Sequence, residues 1–142
     1  MFIEQPPWFY RALFPGVTWR IPAEPKCVYL TFDDGPIPEV TPWVLDILDQ
    51  YGVKATFFMV GDNVRKHPDI YRMVVERGHR IGNHTFNHIQ GIRFLTRNYL
   101  ANTDKAAEWI PSNLLRPPHG HILIRQVFKL RKKYRIIMWD VV

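Results

Sequence analysis

Three short stretches carry side chains that could act together: Asp33-Asp34, His84-Thr85-Phe86-Asn87-His88 and Arg116-Pro117-Pro118-His119-Gly120. The first ends the apolar run Val28-Tyr29-Leu30-Thr31-Phe32 and is followed at once by Gly35-Pro36. That pattern reads as a buried parallel strand delivering two carboxylates to its C-terminal edge. Adjacent acids repel, so they persist most easily where a cation or an arginine neutralises at least one. The plain alternative is a turn in which both aspartates cap backbone groups before a helix. Two imidazoles four residues apart can face one cation from a helical turn or a tight loop, although polar loops also carry histidines as ordinary surface groups. Two histidines and one carboxylate would leave positions open for water and substrate, as a hydrolytic metal centre requires. In the third stretch two prolines stiffen the backbone and give Arg116 a defined direction. A guanidinium beside the acids would hold one of them ionised and oriented. Away from them, it is an exposed arginine on a rigid loop. His119 stays open as ligand, proton donor or surface group, and His121 reads as a surface residue.

The elements that must position these residues alternate strand and helix. Strands are expected over 28–33, 54–60, 79–84, 114–116 and 135–142. Between them, Pro38 to Pro42 opens a helix with Val44, Leu45, Ile47 and Leu48 on one face, stopped by Tyr51-Gly52. A short helical segment starts at Asp62-Asn63, and a helix from about Asp69 turns Ile70, Met73, Val74 and Val75 inward until Arg77-Gly78. Thr96 is a natural N-cap for a helix reaching Trp109, and Ile122 to Lys133 forms the last one. Short connections in this order argue for right-handed βαβ units and a parallel sheet or barrel. Each reactive stretch then falls at a strand's C-terminal end. Residues 1–26, rich in proline and aromatics, read as an irregular arm packed on a domain spanning 27–142.

A length of 142 residues suits one domain, and 46% hydrophobic content with 23% charged residues marks a globular chain rather than a disordered one. The formal charge of +6 raises nucleic acid as a partner. The basic residues are scattered, however, except for Lys129, Arg131, Lys132, Lys133 and Arg135 late in the last helix, where they suit its C-terminus. No nucleic-acid motif accompanies them, so no nucleic-acid partner is expected. Cys27, the single cysteine, excludes an intramolecular disulfide and a cysteine zinc site, and reads as a small buried residue. No segment has the length for a membrane span or the pattern of a secretory signal, which leaves a cytoplasmic location as the default. Trp8, Trp43 and Tyr99 are candidates for stacking on sugars, against a background in which most aromatics are core.

Thr31-Phe32-Asp33-Asp34-Gly35, His84-Thr85-Phe86-Asn87-His88 and Arg116-Pro117-Pro118-His119-Gly120 resemble, in order, the first three motifs of the polysaccharide deacetylases, the NodB-homology enzymes of carbohydrate esterase family 4. The resemblance runs from about Cys27 to the end. It implies an α/β fold, a parallel-stranded distorted (β/α) barrel, incomplete in this chain. It implies a divalent metal, commonly zinc, held by Asp34, His84 and His88. Asp33 would be the general base, oriented by Arg116, and Pro118, His119, Gly120 and Trp139 would contact substrate. The implied reaction is metal-dependent removal of N-acetyl groups, with O-acetyl groups open to the same chemistry, from a polysaccharide or amino-sugar oligosaccharide such as peptidoglycan or a chitin-like chain.

Two departures stand out. Position 119 is more often tyrosine in the family. The family's proton-donating histidine lies downstream of a strand like Ile136 to Asp140, and this sequence ends at Val142. A C-terminally shortened domain is expected, with completion by a second chain or an altered function as alternatives. A barrel stopping there would expose a strand edge and invite self-association. The rival reading is a metal- and carbohydrate-binding module without catalysis.

Overall fold

The computed structural model describes residues 6–22 and 27–141. In chain order the elements are α1 (Trp8–Ala12), β1 (Val17–Thr18), β2 (Thr31–Asp33), α2 (Thr41–Gln50), β3 (Thr56–Met59), α3 (Gly61–Lys66), α4 (Pro68–Glu76), β4 (Arg80–Asn83), α5 (Thr96–Ala107), β5 (Leu114–Leu115), α6 (Ile124–Leu130) and β6 (Arg135–Ile137). Single 3-10 turns occupy Gly91–Arg93 and Pro118–Gly120. The strands form one sheet in the order β1-β6-β5-β4-β3-β2, with every neighbouring pair parallel. Curled, this sheet is a half-barrel with helices outside it, as the expected fold class requires. Parallel pairing puts all strand C-termini on one side, and the loops after β2, β4 and β5 therefore meet there.

Two apolar clusters hold the helices to the sheet. Leu45 and Leu48 of α2 and Val74 of α4 bury against Phe57 and Met59 of β3. Tyr99, Val127 and Leu130 from α5 and α6 bury against Leu115 and Ile136. Helix α2 stops where its apolar face ends: Gly52 takes φ +63, and the Val53 amide returns to the Leu48 carbonyl at 2.9 Å.

Several expectations change. The strand expected over 28–33 is β2, three residues long, and Val28, Tyr29 and Leu30 before it are exposed, Val28 at 86%. The reason is position: β2 is an edge strand paired with β3 alone, and the chain before it runs beside a cavity rather than under a helix. Cys27 shares that exposure instead of being buried. Residues 6–22 of the expected irregular arm contain a helix and a strand. Phe14, Val17 and Trp19 pack against the second apolar cluster, while residues 1–5 and 23–26 lie outside the described part. The edge of β6 is not open, because β1 pairs with it through Val17–Ile136 and Thr18–Ile137. Among the described residues the sheet's edges are β1 and β2, and a cavity of about 390 Å³ opens between them, with Arg116 and Trp139 in its wall. Thr96 is the first residue of α5 rather than its N-cap, a place taken by the extended Leu95.

Candidate active site

Backbone geometry marks the site before any side chain does. The non-glycine residues with left-handed backbone among those described are Asp34 (φ 71), Thr85 (φ 63), His88 (φ 53) and His119 (φ 56). All four lie in the loops at the strands' C-terminal side. Each such conformation costs on the order of 1–2 kcal/mol and persists only where its surroundings over-determine it.

Those surroundings are hydrogen bonds between loops. Asn63 of α3 donates its side-chain N–H to the Asp34 carbonyl at 2.8 Å, which holds the turn after β2. Asn83, fully buried at the end of β4, accepts from the Thr85 amide at 2.8 Å and donates to the Thr103 carbonyl at 3.0 Å. Asn102 of α5 accepts the amides of Phe86 and Asn87 at 2.9 and 3.0 Å. The Gly61 amide donates to the Thr85 carbonyl at 2.9 Å. Gly61 must be glycine, since a Cβ there would stand 2.7 Å from the Phe86 ring. The sequence marks Asn63 only as the start of a short helix and gives Gly61, Asn83 and Asn102 no part in the site. The one available signal was Asn83 directly before His84.

The carboxylate of Asp34 lies 3.3 Å from His84 Nε2 and 3.0 Å from His88 Nε2. One ligand atom from each of the three residues falls within 4.8 Å of the others. His84 is the anchored member: it is buried, and its Nδ1 sits 2.7 Å from the Arg116 carbonyl. A carbonyl can only accept, so Nδ1 carries the hydrogen and Nε2 presents a lone pair to the cluster. Two neutral imidazoles and one carboxylate suit zinc or a similar divalent ion, and the half-exposed Asp34 leaves one side of the cluster open. The donor set therefore fits the implied metal. With no cation bound and the imidazoles protonated, Asp34 is held below the usual carboxylate range, first by the hydrogen bond it accepts from His84 and then by the charges on His88, His84 and His119, with burial opposing. Burial pushes the His88 pKa below the ordinary imidazole value, against the pull of Asp34.

Asp33, one residue earlier, faces another way. Arg116 Nη1 donates to Asp33 Oδ1 at 2.7 Å and to Thr31 Oγ1 at 2.8 Å, while Nη2 donates to the Met138 carbonyl at 3.1 Å. The guanidinium is buried and stacks 4.2 Å from the Phe58 ring centroid. Burial lowers the Arg116 pKa and Asp33 opposes that shift. The two adjacent acids are thus separated into one that joins the imidazoles and one that joins the guanidinium.

The remaining expected site residues come to the same side. His119 places its ring 4.9 Å from that of His88, and His121 lies a further 5.9 Å out. Pro118 is buried, and Gly120 (φ 68) lies against Trp139, whose ring would stand 2.8 Å from a Cβ at that glycine. Of the stacking candidates, Tyr99 is fully buried in the second cluster and is withdrawn, while Trp8 and Trp43 are exposed.

Known proteins resemble this chain along most of its length. The family model described as polysaccharide deacetylase matches residues 20–134. A peptidoglycan-N-acetylglucosamine deacetylase of Bacillus cereus is 42% identical over 131 residues, 87% of this chain and 61% of the relative. A chitooligosaccharide deacetylase of Rhizobium leguminosarum bv. trifolii is 47% identical over 66 residues, 46% of this chain and 31% of the relative. Among solved structures, the Bc1960 peptidoglycan N-acetylglucosamine deacetylase in complex with an N-hydroxybenzamide superposes with a TM-score of 0.81 at 33% identity. That match covers 94% of this chain and 65% of that one. The chain thus spans under two thirds of the length of these relatives.

Proposed function

This chain belongs to the polysaccharide deacetylase family, and from that premise we propose that it hydrolyses N-acetyl groups on an amino-sugar polymer or oligosaccharide, with peptidoglycan and chitin-like chains as the substrate classes. The observation that carries the reading is the Asp34-His84-His88 cluster within 4.8 Å, beside an Asp33 already paired with Arg116. A divalent cation held by the cluster, zinc first, would act as a Lewis acid toward the acetamide carbonyl. Asp33 takes the proton of the attacking water as general base. Arg116 keeps that carboxylate ionised and fixes its direction. The Gly120 and His121 amides are spent on the Pro117 and Pro118 carbonyls at 3.0 Å each, and the adjacent His119 amide is the donor offered to the oxyanion. Trp139 lies over Gly120 as a wall for the sugar ring.

The test is acetate release from an acetylated chitooligosaccharide and from peptidoglycan. Release should appear on adding zinc and disappear with a chelator. Glycan binding without release would instead favour a non-catalytic module. Zinc at about 100 times its dissociation constant should stabilise the fold by about 2.7 kcal/mol, a rise of several degrees in Tm that His84→Ala and His88→Ala abolish. The pH dependence has a definite sign. Ligands must be deprotonated to bind metal. Because burial lowers the His88 pKa, protons compete less at that ligand, and His88 should stay available to zinc as pH falls through the ordinary imidazole value of 6.5. Competition against a chromophoric chelator across that range reads the effect.

His119 is proposed as the donor that protonates the leaving amine, because it is the imidazole beside the metal cluster that is not itself a cluster member. A phenolate leaving group needs no proton. His119→Ala should therefore lower release from the glycan amide by about 10²-fold or more, while para-nitrophenyl acetate turnover stays within a few-fold. Equal losses on both substrates would remove His119 from that role.

A further inference from the structure

We propose that the face formed by α1, the Gly91–Arg93 turn and the start of α6 docks onto an anionic lipid surface. This stands on observations separate from the catalytic reading. Helix α1 buries none of its residues; Trp8 is 75% and Phe9 59% exposed, and Leu13 just beyond it is exposed as well. An aromatic helix turned outward gives up the burial that would stabilise it, on the order of 25 cal/mol per Å² of apolar surface. Beside it runs an open groove of about 800 Å³, lined by Tyr10, Phe14, Ile92, Ile124 and Phe128 with Arg125 at its margin. Exposed Phe94 and Leu95 follow Ile92 in the chain. Together these form an apolar patch on one side of the molecule, of the kind that marks an interaction surface.

Charge identifies the occupant. Residues 6–22 and 109–139 contain no acidic residue, and the second segment alone holds seven lysines and arginines. Asp46, Asp49 and Asp69 sit on α2 and α4, Asp62 on α3 and Asp104 on α5. Arg11 and Arg20 are engaged by Asp140, and Lys133 by Asp104. Arg93, Arg97, Arg125, Lys129 and Arg131 have no carboxylate partner among the described residues. Arg131 lies with its guanidinium 4.5 Å from the Phe128 ring centroid, an apolar stem on the patch with its charge at the rim. Apolar and aromatic groups ringed by unpaired cations match the headgroup boundary of an anionic bilayer. A second copy would bring two basic faces together, which repel. A sugar would need more polar partners than Tyr10, His121 and Arg125 supply along this groove. Nucleic acid would call for a positively charged groove that tracks its backbone, whereas Arg125 is the single lysine or arginine in this lining. His121 belongs both to the groove lining and to the histidine row that leads to the metal cluster. Docking would therefore hold the reactive side close to the lipid.

Flotation of the full chain with vesicles tests this. Mixed phosphatidylglycerol–phosphatidylcholine vesicles should carry the protein, and pure phosphatidylcholine or high salt should release it. Trp8→Ser with Phe9→Ser, and separately Arg125→Glu with Lys129→Glu, should each weaken binding by about tenfold or more. Zinc uptake, read on the same variants, should stay native and thereby show that they fold. The proposal is overturned by equal or absent binding to the two vesicle types, or by folded variants that bind as before. It is equally overturned by concentration-dependent dimers that the same substitutions dissolve, or by single-stranded DNA binding that outcompetes the vesicles.

Discussion

Asp33→Asn should lower deacetylation by about 10²–10⁴-fold while zinc uptake stays native, and Asp34→Asn should weaken zinc uptake itself by at least about tenfold. The two acids are adjacent in sequence, so a merely electrostatic account of the site would make the substitutions equivalent. Geometry separates them. Asp33 ends β2 in extended backbone and gives its Oδ1 to Arg116 at 2.7 Å. Asp34 turns left-handed at φ 71, which swings its carboxylate to the two imidazoles at 3.0 and 3.3 Å. An asparagine at 33 retains a carbonyl oxygen to accept from Arg116, so the fold survives, but it cannot take a proton from water. An asparagine at 34 also keeps the shape, and it removes the one negative charge in the ligand set. Acetate release and chelator competition on both variants give the answer. A folded Asp33→Asn protein that loses zinc, or an Asp34→Asn protein that binds it normally, would reverse the assignment.

The residues of the site were legible because their chemistry is costly to place by accident. Paired acids, an H-x-x-x-H and a Pro-fixed arginine each have a bland reading, but parallel strands bring all three loops to one side, and the structure finds them there. What holds the loops in their left-handed turns was not legible. Asn63, Asn83 and Asn102 act through side-chain amide hydrogen bonds across 15 to 29 positions of sequence, or on a neighbour two residues away. Local sequence patterning carries no trace of bonds at such separations. Asparagine also appears in loops for its turn preference alone.

Fold errors have a common cause. Apolar periodicity reports what a segment would bury if a neighbour covered it, and it says nothing about whether one does. Val28-Tyr29-Leu30 has the composition of a core strand, yet it precedes an edge strand and stays exposed, with Cys27 beside it. The proline-rich segment before it showed no period at all, because two residues suffice for the β1 ladder on β6. In a parallel sheet a strand that short is specified by its partner rather than by its own alternation.

Arg116 joins both halves of the site, and its substitution should separate them. Its side chain bonds Asp33, Thr31 and the Met138 carbonyl, while its backbone carbonyl takes the Nδ1 hydrogen of His84, the proposed ligand. Arg116→Met fills similar volume but strands a hydroxyl and a carbonyl in the barrel interior, and it loses the stack on Phe58. At about 1 kcal/mol for each stranded group and for the stack, the fold should lose about 2–4 kcal/mol. Tm should then fall on the order of 10 °C. The ion pair itself adds little to that sum, since Asp33 is 31% exposed and water screens it. Turnover should fall by about 10²-fold or more, because the base is left free to rotate. Zinc affinity should change little, since the carbonyl that orients His84 belongs to the backbone and survives the substitution. Arg116→Lys keeps the charge, yet one ammonium cannot span Thr31, Asp33 and the Met138 carbonyl together, and it should recover only part of the stability and little of the turnover. A folded Arg116→Met protein with near-native turnover would show that Asp33 needs no orienting partner. Loss of zinc in that folded protein would show instead that the guanidinium supports the metal cluster directly.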